Sequence, residues 1–130
     1  IIDAATLTGA AVMAVSNEYN AIFSPQTETI KMAQQCAAAV GENVWPLPLD
    51  PWHRDACPSA YADTANSRPV KGGGAGGASN AAGFLWRFVS PNANWLHIDL
   101  AAAFESSATG LWGAGATAHG VLTVAELLKR

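Results

Sequence analysis

The stretch Ile1-Ile2-Asp3-Ala4-Ala5-Thr6-Leu7-Thr8-Gly9-Ala10 contains the first predicted strand of the fold and the break that follows it. Residues 1–7 form a short run of apolar and small residues, which predicts a strand, although periodicity alone does not separate such a run from a piece of helix. The segment Thr6-Leu7-Thr8-Gly9 interrupts the run. We therefore expect a strand that leads into a loop or into the start of a helix.

Two apolar segments follow this loop. Residues 12–15 and 21–24 flank the polar residues 16–20, a pattern that predicts two short strands with a hairpin-like connection. The next segment differs in its periodicity. Apolar residues recur there at spacings of three and four, which predicts a helix over residues 27–40 that ends at the capping residue Gly41.

The second half of the chain alternates in the same way. The three prolines within residues 44–51 exclude a central strand or a helix interior, so an extended segment is expected there. Residues 52–71 are polar and irregular, with one short helix near residues 53–57. Further predictions are a helix at 81–89 capped by Ser79 or Asn80, a buried strand at 94–100, a loop at 105–118 and a final helix at 119–129. Strands interleaved with helices predict the α/β class.

Composition limits the possible functions. The 130 residues correspond to a single domain, and 50% of them are hydrophobic while 13% are charged, which excludes intrinsic disorder. The net charge of −3 is scattered, so neither a nucleic-acid partner nor an anionic membrane surface is expected. The sequence shows neither the pattern of a signal peptide nor a run of about 18 apolar residues, so we expect a cytoplasmic protein. We interpret Cys36 and Cys57 as free thiols in a reducing cytoplasm. The apolar start predicts part of a longer chain.

A glycine-rich segment contains a literal G-x-G-x-x-G at Gly72, Gly74 and Gly77. A dinucleotide site requires this motif to follow a strand directly, and residues 67–71 do not have the pattern of a strand. The segment is better interpreted as a flexible turn that leads into a helix. Nucleotide binding is therefore a minor alternative.

The polar residues do not form a complete catalytic set. His53, His97 and His119 lack metal-site spacing, and the chain has no G-x-S-x-G motif. His97 and Asp99 are two residues apart on a predicted strand and should face the same side. They would form either a proton relay or, as we favour, a structural hydrogen-bonded pair.

Six blocks of the sequence nevertheless carry recognisable motifs, in order along the chain. The blocks are residues 3–10, 45–49, 62–66, 74–89, 95–99 and 115–117. The first resembles D-x-A-T-L-T-G-A, and the last resembles a late G-A-T-G turn. Together the blocks resemble the M17 leucyl aminopeptidases, and most closely the bacterial peptidase B branch of that family. This resemblance implies a mixed sheet with flanking helices, with residues 1–130 forming the C-terminal, incomplete segment of the catalytic domain.

The resemblance also implies a chemistry and partners. Members of the family remove N-terminal residues from peptides with two divalent metal ions, Mn or Zn, that activate a bridging water. Their metal ligands and catalytic arginine lie upstream of the segment that this chain resembles. We therefore expect no metal ligand and no catalytic residue here, and no activity from the chain alone. The upstream part of the same enzyme, a peptide substrate and a cytoplasmic homohexamer are the expected partners and assembly.

The resemblance assigns substrate contacts to six residues. Thr6, Leu7, Thr8 and Gly9 would lie along the bound peptide, with backbone groups of Leu7 and Gly9 orienting it. Ala101 and Phe104 would complete, with Thr6, an apolar pocket for the N-terminal side chain, since such a pocket needs small residues and one large apolar residue. Ordinary core packing is the alternative for Ala101 and Phe104.

Several positions depart from the family pattern, namely Asn80, Phe104, Ala118 and Leu122. Phe104 stands where several relatives carry methionine, which puts a strict preference for leucine in doubt. A function of another class also stays open at this point. The chain could be a non-catalytic binding or assembly module that has an aminopeptidase-like fold.

Overall fold

Short strands alternate with helices along the chain. The computed structural model describes residues 1–110 and 112–130. The strands are β1 (Ile2–Ala5), β2 (Asn20–Phe23), β3 (Val44–Pro46), β4 (Leu96–Asp99), β5 (Phe104–Glu105) and β6 (Gly115–Ala116). The helices are α1 (Gly9–Val15), α2 (Thr27–Val40), α3 (Pro51–Arg54), α4 (Gly77–Trp86) and α5 (Val121–Leu127), with a 3₁₀ helix at Lys71–Gly73.

Four strands form a mixed sheet in the order β1-β4-β2-β3. Strand β4 is parallel to β1 and antiparallel to β2, and β2 is parallel to β3. Pro46 is accommodated because it lies on an edge strand, where a missing N–H costs little. Strands β5 and β6 form a separate antiparallel pair. The predicted α/β class with a mixed sheet and flanking helices is confirmed.

Helices cover both faces of the sheet, and each face has its own core cluster. Alternate residues of β2 show the division, since Ala21 and Phe23 point to one cluster and Ile22 to the other. Helices α1 and α4 contribute to the first cluster, which comprises Ala11, Ala21, Phe23, Ala78, Ala82 and Ala101. Helices α2 and α5 cover the second, which comprises Ile22, Ala33, Ala37, Val44, Leu96 and Ile98.

One predicted strand is wrong. Residues 12–15 belong to helix α1, which begins after Thr8. The Thr8 side chain accepts a hydrogen bond from the Ala11 N–H at 3.0 Å and so caps the helix. Residues 10–14 are rich in alanine, which favours a helix once such a cap is in place. Ser16, with φ of 58°, then ends the helix and turns the chain toward β2.

The start of α4 also differs from the prediction. The helix begins at Gly77 and ends at Trp86, whereas residues 81–89 were expected, so Ser79 and Asn80 lie inside the helix and do not cap it. The chain enters the helix from Gly76, whose φ of 72° favours glycine. Asn80 donates a hydrogen bond from Nδ2 to the Ala75 carbonyl instead.

Three shorter elements are displaced as well. Helix α3 covers Pro51–Arg54 rather than residues 53–57, because proline suits the first turn. Helix α5 begins at Val121, two residues later than expected, after Gly120 with φ of 107°. The predicted loop at 105–118 contains β6 and part of β5.

Other expectations are confirmed. Helix α2 has the predicted bounds, and Gly41 adopts φ of 75° after it. Both cysteines are buried free thiols. Within residues 1–110 and 112–130, no helix has the length and apolar character needed to cross a membrane.

Candidate functional site

The residues Thr6–Gly9, here called the substrate loop, lie at the edge of the sheet where β1 and β4 both end. Because these strands are parallel, Ala5 lies opposite Asp99. The Leu100 N–H donates a hydrogen bond to the Ala5 carbonyl at 2.8 Å, which continues the pairing past the strand ends. The substrate loop therefore begins next to the turn that carries Ala101.

Asp99 holds the substrate loop with both carboxylate oxygens. Its Oδ1 accepts hydrogen bonds from the N–H groups of Leu7 at 3.0 Å and Thr8 at 3.3 Å. Its Oδ2 accepts one from the Thr8 hydroxyl at 2.7 Å. Asp99 is 1% exposed. A buried carboxylate is costly unless it is hydrogen-bonded, and here the loop supplies the donors.

Several backbone groups of the substrate loop, including the N–H and the carbonyl of Thr6, have no partner among the described residues. Among the described residues, nothing donates to the Leu7 carbonyl and nothing accepts from the Gly9 N–H. Both residues are exposed. The loop thus presents free acceptors and donors to solvent, while Asp99 holds the N–H groups of Leu7 and Thr8. An extended peptide could pair with such a surface.

Ala101 and Phe104 differ in their surroundings. Ala101 is buried and belongs to the core cluster that also contains Ala11 and Phe23. Phe104 lies opposite Ala116 in the β5–β6 pair and is 61% exposed. A large apolar side chain that is exposed is available to contact a ligand or another part of the protein. Ordinary core packing, the alternative to a role in the substrate pocket, therefore applies to Ala101 more than to Phe104.

The turn after β4 is fixed by a buried asparagine that the sequence analysis did not single out. Asn20 is fully buried at the start of β2; its Oδ1 accepts from the Ala102 N–H at 2.9 Å and its Nδ2 donates to the His119 carbonyl at 3.1 Å. The Thr117 hydroxyl donates to the Ala102 carbonyl at 2.6 Å. The sequence signal that could have identified Asn20 is a polar residue at the first position of an apolar strand.

The β5–β6 pair is also tied to the end of α1. Asn17 donates a hydrogen bond from Nδ2 to Glu105 Oε2 at 2.7 Å. A cavity of about 560 Å³ lies beside this contact, and its walls include Tyr19, Trp112 and His119. Glu105, which accepts this hydrogen bond, is the residue after Phe104, so the bond fixes the backbone position of the short strand that carries Phe104.

The expected pairing of His97 with Asp99 is not what the structure shows. His97 is fully buried, and its Nδ1 lies 2.6 Å from Asp3 Oδ1. The Trp95 indole N–H donates to the other Asp3 oxygen. The reason is the register, which places Asp3 opposite His97. Within the described part of the chain, His97 Nε2 has no hydrogen-bond partner.

Asp3 carries a perturbed carboxyl group. Burial raises its pKa, but the hydrogen bonds from His97 and Trp95 and the coulombic attraction to His97 outweigh burial, and the net pKa is lowered from 3.8. A depressed pKa gives stability that is present above the unfolded-state pKa and is lost as the pH falls through the folded-state pKa.

We therefore expect Asp3→Asn to destabilise the protein at pH 7 by about 1–2 kcal/mol, since the half-exposed carboxylate is partly screened. The difference from the wild type should shrink as the pH falls below about 4. Urea unfolding between pH 3 and 7 measures it, with the exposed Asp63→Asn as control. A difference that stays constant over this range would contradict the role of the carboxylate.

Comparison with known proteins identifies the chain. The model of the cytosol aminopeptidase family (peptidase M17), catalytic domain, matches residues 1–125. The chain belongs to the M17 aminopeptidase family. This membership confirms the resemblance, and it does not favour the alternative of a non-catalytic module.

Named relatives of the M17 family align with almost the whole chain. It is 46% identical over 129 residues to peptidase B of Pectobacterium carotovorum subsp. carotovorum (strain PC1), covering 98% of this chain and 29% of that protein. It is 48% identical over 130 residues to peptidase B of Yersinia pestis (strain Pestoides F), with the same coverages of 98% and 29%. The chain thus spans less than a third of the length of these relatives.

Solved structures of M17 enzymes share the fold. The bottromycin maturation enzyme BotP in complex with Mn superimposes with a TM-score of 0.88 and 32% identity over 98% of this chain and 28% of BotP. A mutant tomato leucine aminopeptidase gives a TM-score of 0.85 and 32% identity over 100% of this chain and 24% of its own.

The residues described here do not fit a metal centre. No group of three or more His, Cys, Asp or Glu side chains in the described ranges could hold an ion. Two of the histidine rings have local contacts, since His53 Nδ1 accepts from the Asp50 N–H and His119 Nε2 accepts from the Asn43 N–H, each at 2.9 Å. No step of the chemistry is therefore assigned to a metal in this chain.

Proposed function

We propose that this chain supplies the substrate-binding part of an M17 aminopeptidase, which hydrolyses the N-terminal residue from peptides. The observation that carries the proposal is the substrate loop. In a member of this family, an exposed backbone acceptor at Leu7 and an exposed donor at Gly9 follow the strand β1, and the Asp99 carboxylate holds the loop that carries them.

The loop can bind a peptide through its backbone. The Leu7 carbonyl would accept a hydrogen bond from a substrate N–H, and the Gly9 N–H would donate to a substrate carbonyl, as in the addition of a strand. Such contacts recognise any sequence. Selection among N-terminal side chains would then depend on Thr6, Ala101 and Phe104, of which Ala101 is small and Phe104 is large and exposed.

The catalytic ions and the rest of the enzyme belong to this proposal too. We propose that residues outside this chain hold two divalent ions, Mn or Zn, which would activate water when bound. Residues 1–130 would then be the C-terminal segment of a larger catalytic domain. The parent enzyme would be a cytoplasmic homohexamer. The exposed apolar side chains Met13, Trp45 and Trp52 support burial against other parts of such an assembly.

Activity measurements on two proteins test the function. The full-length enzyme that contains this chain should release p-nitroaniline from leucine p-nitroanilide in the presence of Mn²⁺, and a chelator should abolish the release. The 130-residue chain under the same conditions should give no more than the buffer blank, since it lacks a metal-binding cluster in the described residues. An inactive full-length enzyme, or an active short chain, would contradict the proposal.

The preference for N-terminal side chains gives a further prediction. Phe104→Met in the full-length enzyme should change the ratio of kcat/KM between leucine and phenylalanine substrates by about 3- to 10-fold, because a flexible side chain replaces a rigid ring at the pocket. Phe88→Met is the matched control, since Phe88 is also exposed but lies after α4. An unchanged ratio would remove Phe104 from the pocket.

A further inference from the structure

We infer that Asp99 is a positioning residue for the peptide substrate, which it orients through the backbone of the substrate loop. This inference rests on the proposed function and names a residue that would act without touching the substrate. Its buried carboxylate binds the loop from the side of the sheet. The groups available to the substrate are the ones that Asp99 leaves free.

The pattern of hydrogen bonds in the loop supports this role. Asp99 accepts from two consecutive N–H groups, those of Leu7 and Thr8. The next N–H along the chain, that of Gly9, has no partner among the described residues. The same is true of the Leu7 carbonyl. The carboxylate therefore fixes the peptide planes on both sides of Leu7, and with them the direction of the carbonyl that remains free.

Thr8 extends the control of Asp99 to helix α1. Its hydroxyl donates to Asp99 Oδ2 at 2.7 Å and accepts from the Ala11 N–H at 3.0 Å. A hydroxyl has a single proton, so donation to Asp99 leaves its lone pairs for the N–H of the helix. Asp99 thereby fixes both the loop and the first turn of α1, in which Gly9 is the first residue.

Asp99 itself has little freedom to move. It ends the strand β4, which is paired with β1 on one side and with β2 on the other. Asp99 lies opposite Ala5 in one neighbour and Ala21 in the other. A carboxylate on a central strand is a rigid support, as positioning groups need to be.

Asp99→Asn is the discriminating variant. The amide keeps one oxygen that accepts from Leu7 and Thr8, but its NH₂ group cannot accept the Thr8 hydroxyl proton. The loop should then shift without being lost. A displacement of about 1 Å in a positioning element can lower the rate of an enzyme about 100-fold.

The experiment compares two substrates of the full-length enzyme. Leu-Gly-Gly has peptide groups beyond the cleaved bond that can pair with the loop, whereas leucine p-nitroanilide has none. We expect Asp99→Asn to lower kcat/KM for the tripeptide about 30- to 100-fold, mainly through KM, and for the anilide less than 5-fold. Thr8→Val should also lower kcat/KM for the tripeptide more than for the anilide, by a smaller factor than Asp99→Asn. It serves as the test if Asp99→Asn does not fold.

Glu42→Gln is the matched control. Glu42 Oε2 accepts from the Thr123 N–H at 2.8 Å and the Thr123 hydroxyl at 2.6 Å, which repeats the contacts of Asp99 at the start of α5. Loss of that carboxylate should leave the ratio of kcat/KM between the tripeptide and the anilide unchanged. The inference would be overturned if Asp99→Asn lowered kcat/KM equally for the tripeptide and the anilide. It would also be overturned if the ratio of these two kcat/KM values were the same in Asp99→Asn as in Glu42→Gln. An inactive wild type would instead overturn the proposed function on which it rests.

Discussion

Gly83→Ala is expected to lower the free energy of unfolding by about 3 kcal/mol or more, at the upper end of the cost of overpacking. Gly83 is buried in α4, directly against α3. A Cβ atom at this position would lie 2.4 Å from the carbonyl carbon and oxygen of His53 and 2.7 Å from its Cβ. The nearest atoms are backbone, so rotation of a side chain cannot relieve the clash.

Helix α3 cannot easily withdraw from Gly83. Its first turn is closed by two hydrogen bonds at 2.9 Å, from the His53 N–H to the Asp50 carbonyl and from the Asp50 N–H to His53 Nδ1. Its end is held by Arg87, which donates from Nη1 to the Arg54 carbonyl at 2.8 Å. The guanidinium of Arg54 lies 5.0 Å from the centre of the Trp86 ring. The added methyl group must therefore separate α4 from a short helix that is closed by its own hydrogen bonds and joined to α4 at its end.

A graded series of glycine variants tests this packing. Gly113→Ala serves as the neutral control, because a Cβ there meets no atom of residues 1–110 or 112–130 within 4 Å. Gly77→Ala should be intermediate, since its Cβ would lie 3.0 Å from that of Ala10. Denaturant unfolding of the three purified proteins measures the differences. Equal stability of Gly83→Ala and Gly113→Ala would show that α3 and α4 can separate at little cost.

Asn20→Ala is the second large prediction, and we expect it to cost about 2–4 kcal/mol. The Ala102 N–H and the His119 carbonyl would each lose their partner, and unsatisfied buried polar groups cost about 1–3 kcal/mol each. The truncation also leaves a gap at a fully buried position. Because Ala102 follows Ala101 directly, the wall of the proposed substrate pocket should move as well.

Two measurements separate these effects. Denaturant unfolding gives the loss of stability, and KM for an N-terminal leucine substrate in the full-length enzyme reports on the pocket. Asn43→Ala is the control, since Asn43 donates from its side chain to the Glu18 carbonyl at an exposed position. That variant should change stability by less than about 1 kcal/mol. If the two asparagine variants were equally stable, Asn20 would not be the residue that fixes this turn.

The sequence predicted those elements whose local signals agree with one another. Helix α2 combines an apolar stripe with a capping glycine, and its bounds were correct. The prediction of a strand at residues 12–15 was wrong because a run of four apolar residues fits a strand and a helix equally well. The deciding contact is the Thr8 cap, which is local but is a single hydrogen bond. The prediction that Ser79 or Asn80 caps α4 was wrong because a helix can also start from a glycine in the left-handed conformation.

The site was less predictable than the fold, and the reason is register. His97 and Asp99 share a face of β4, yet each bonds to a different part of the segment around β1, which lies more than 90 residues away. Only the pairing of β1 with β4 places Asp3 beside His97 and the substrate loop beside Asp99. The resemblance to the family named the loop, but the position of the carboxylate behind it required the sheet.

The pairing of β1 with β4 also has a consequence for the order of events during synthesis. Thr8 and Asp99 are 91 residues apart in sequence. Because ribosomes add about 5–20 residues per second, the substrate loop is synthesised roughly 5–20 s before the carboxylate that holds it. Until then β1 has no strand to pair with among the described residues of this chain, and an unpaired strand edge is prone to aggregation. A nascent chain that stalls before Trp95 should therefore be a preferred client of chaperones.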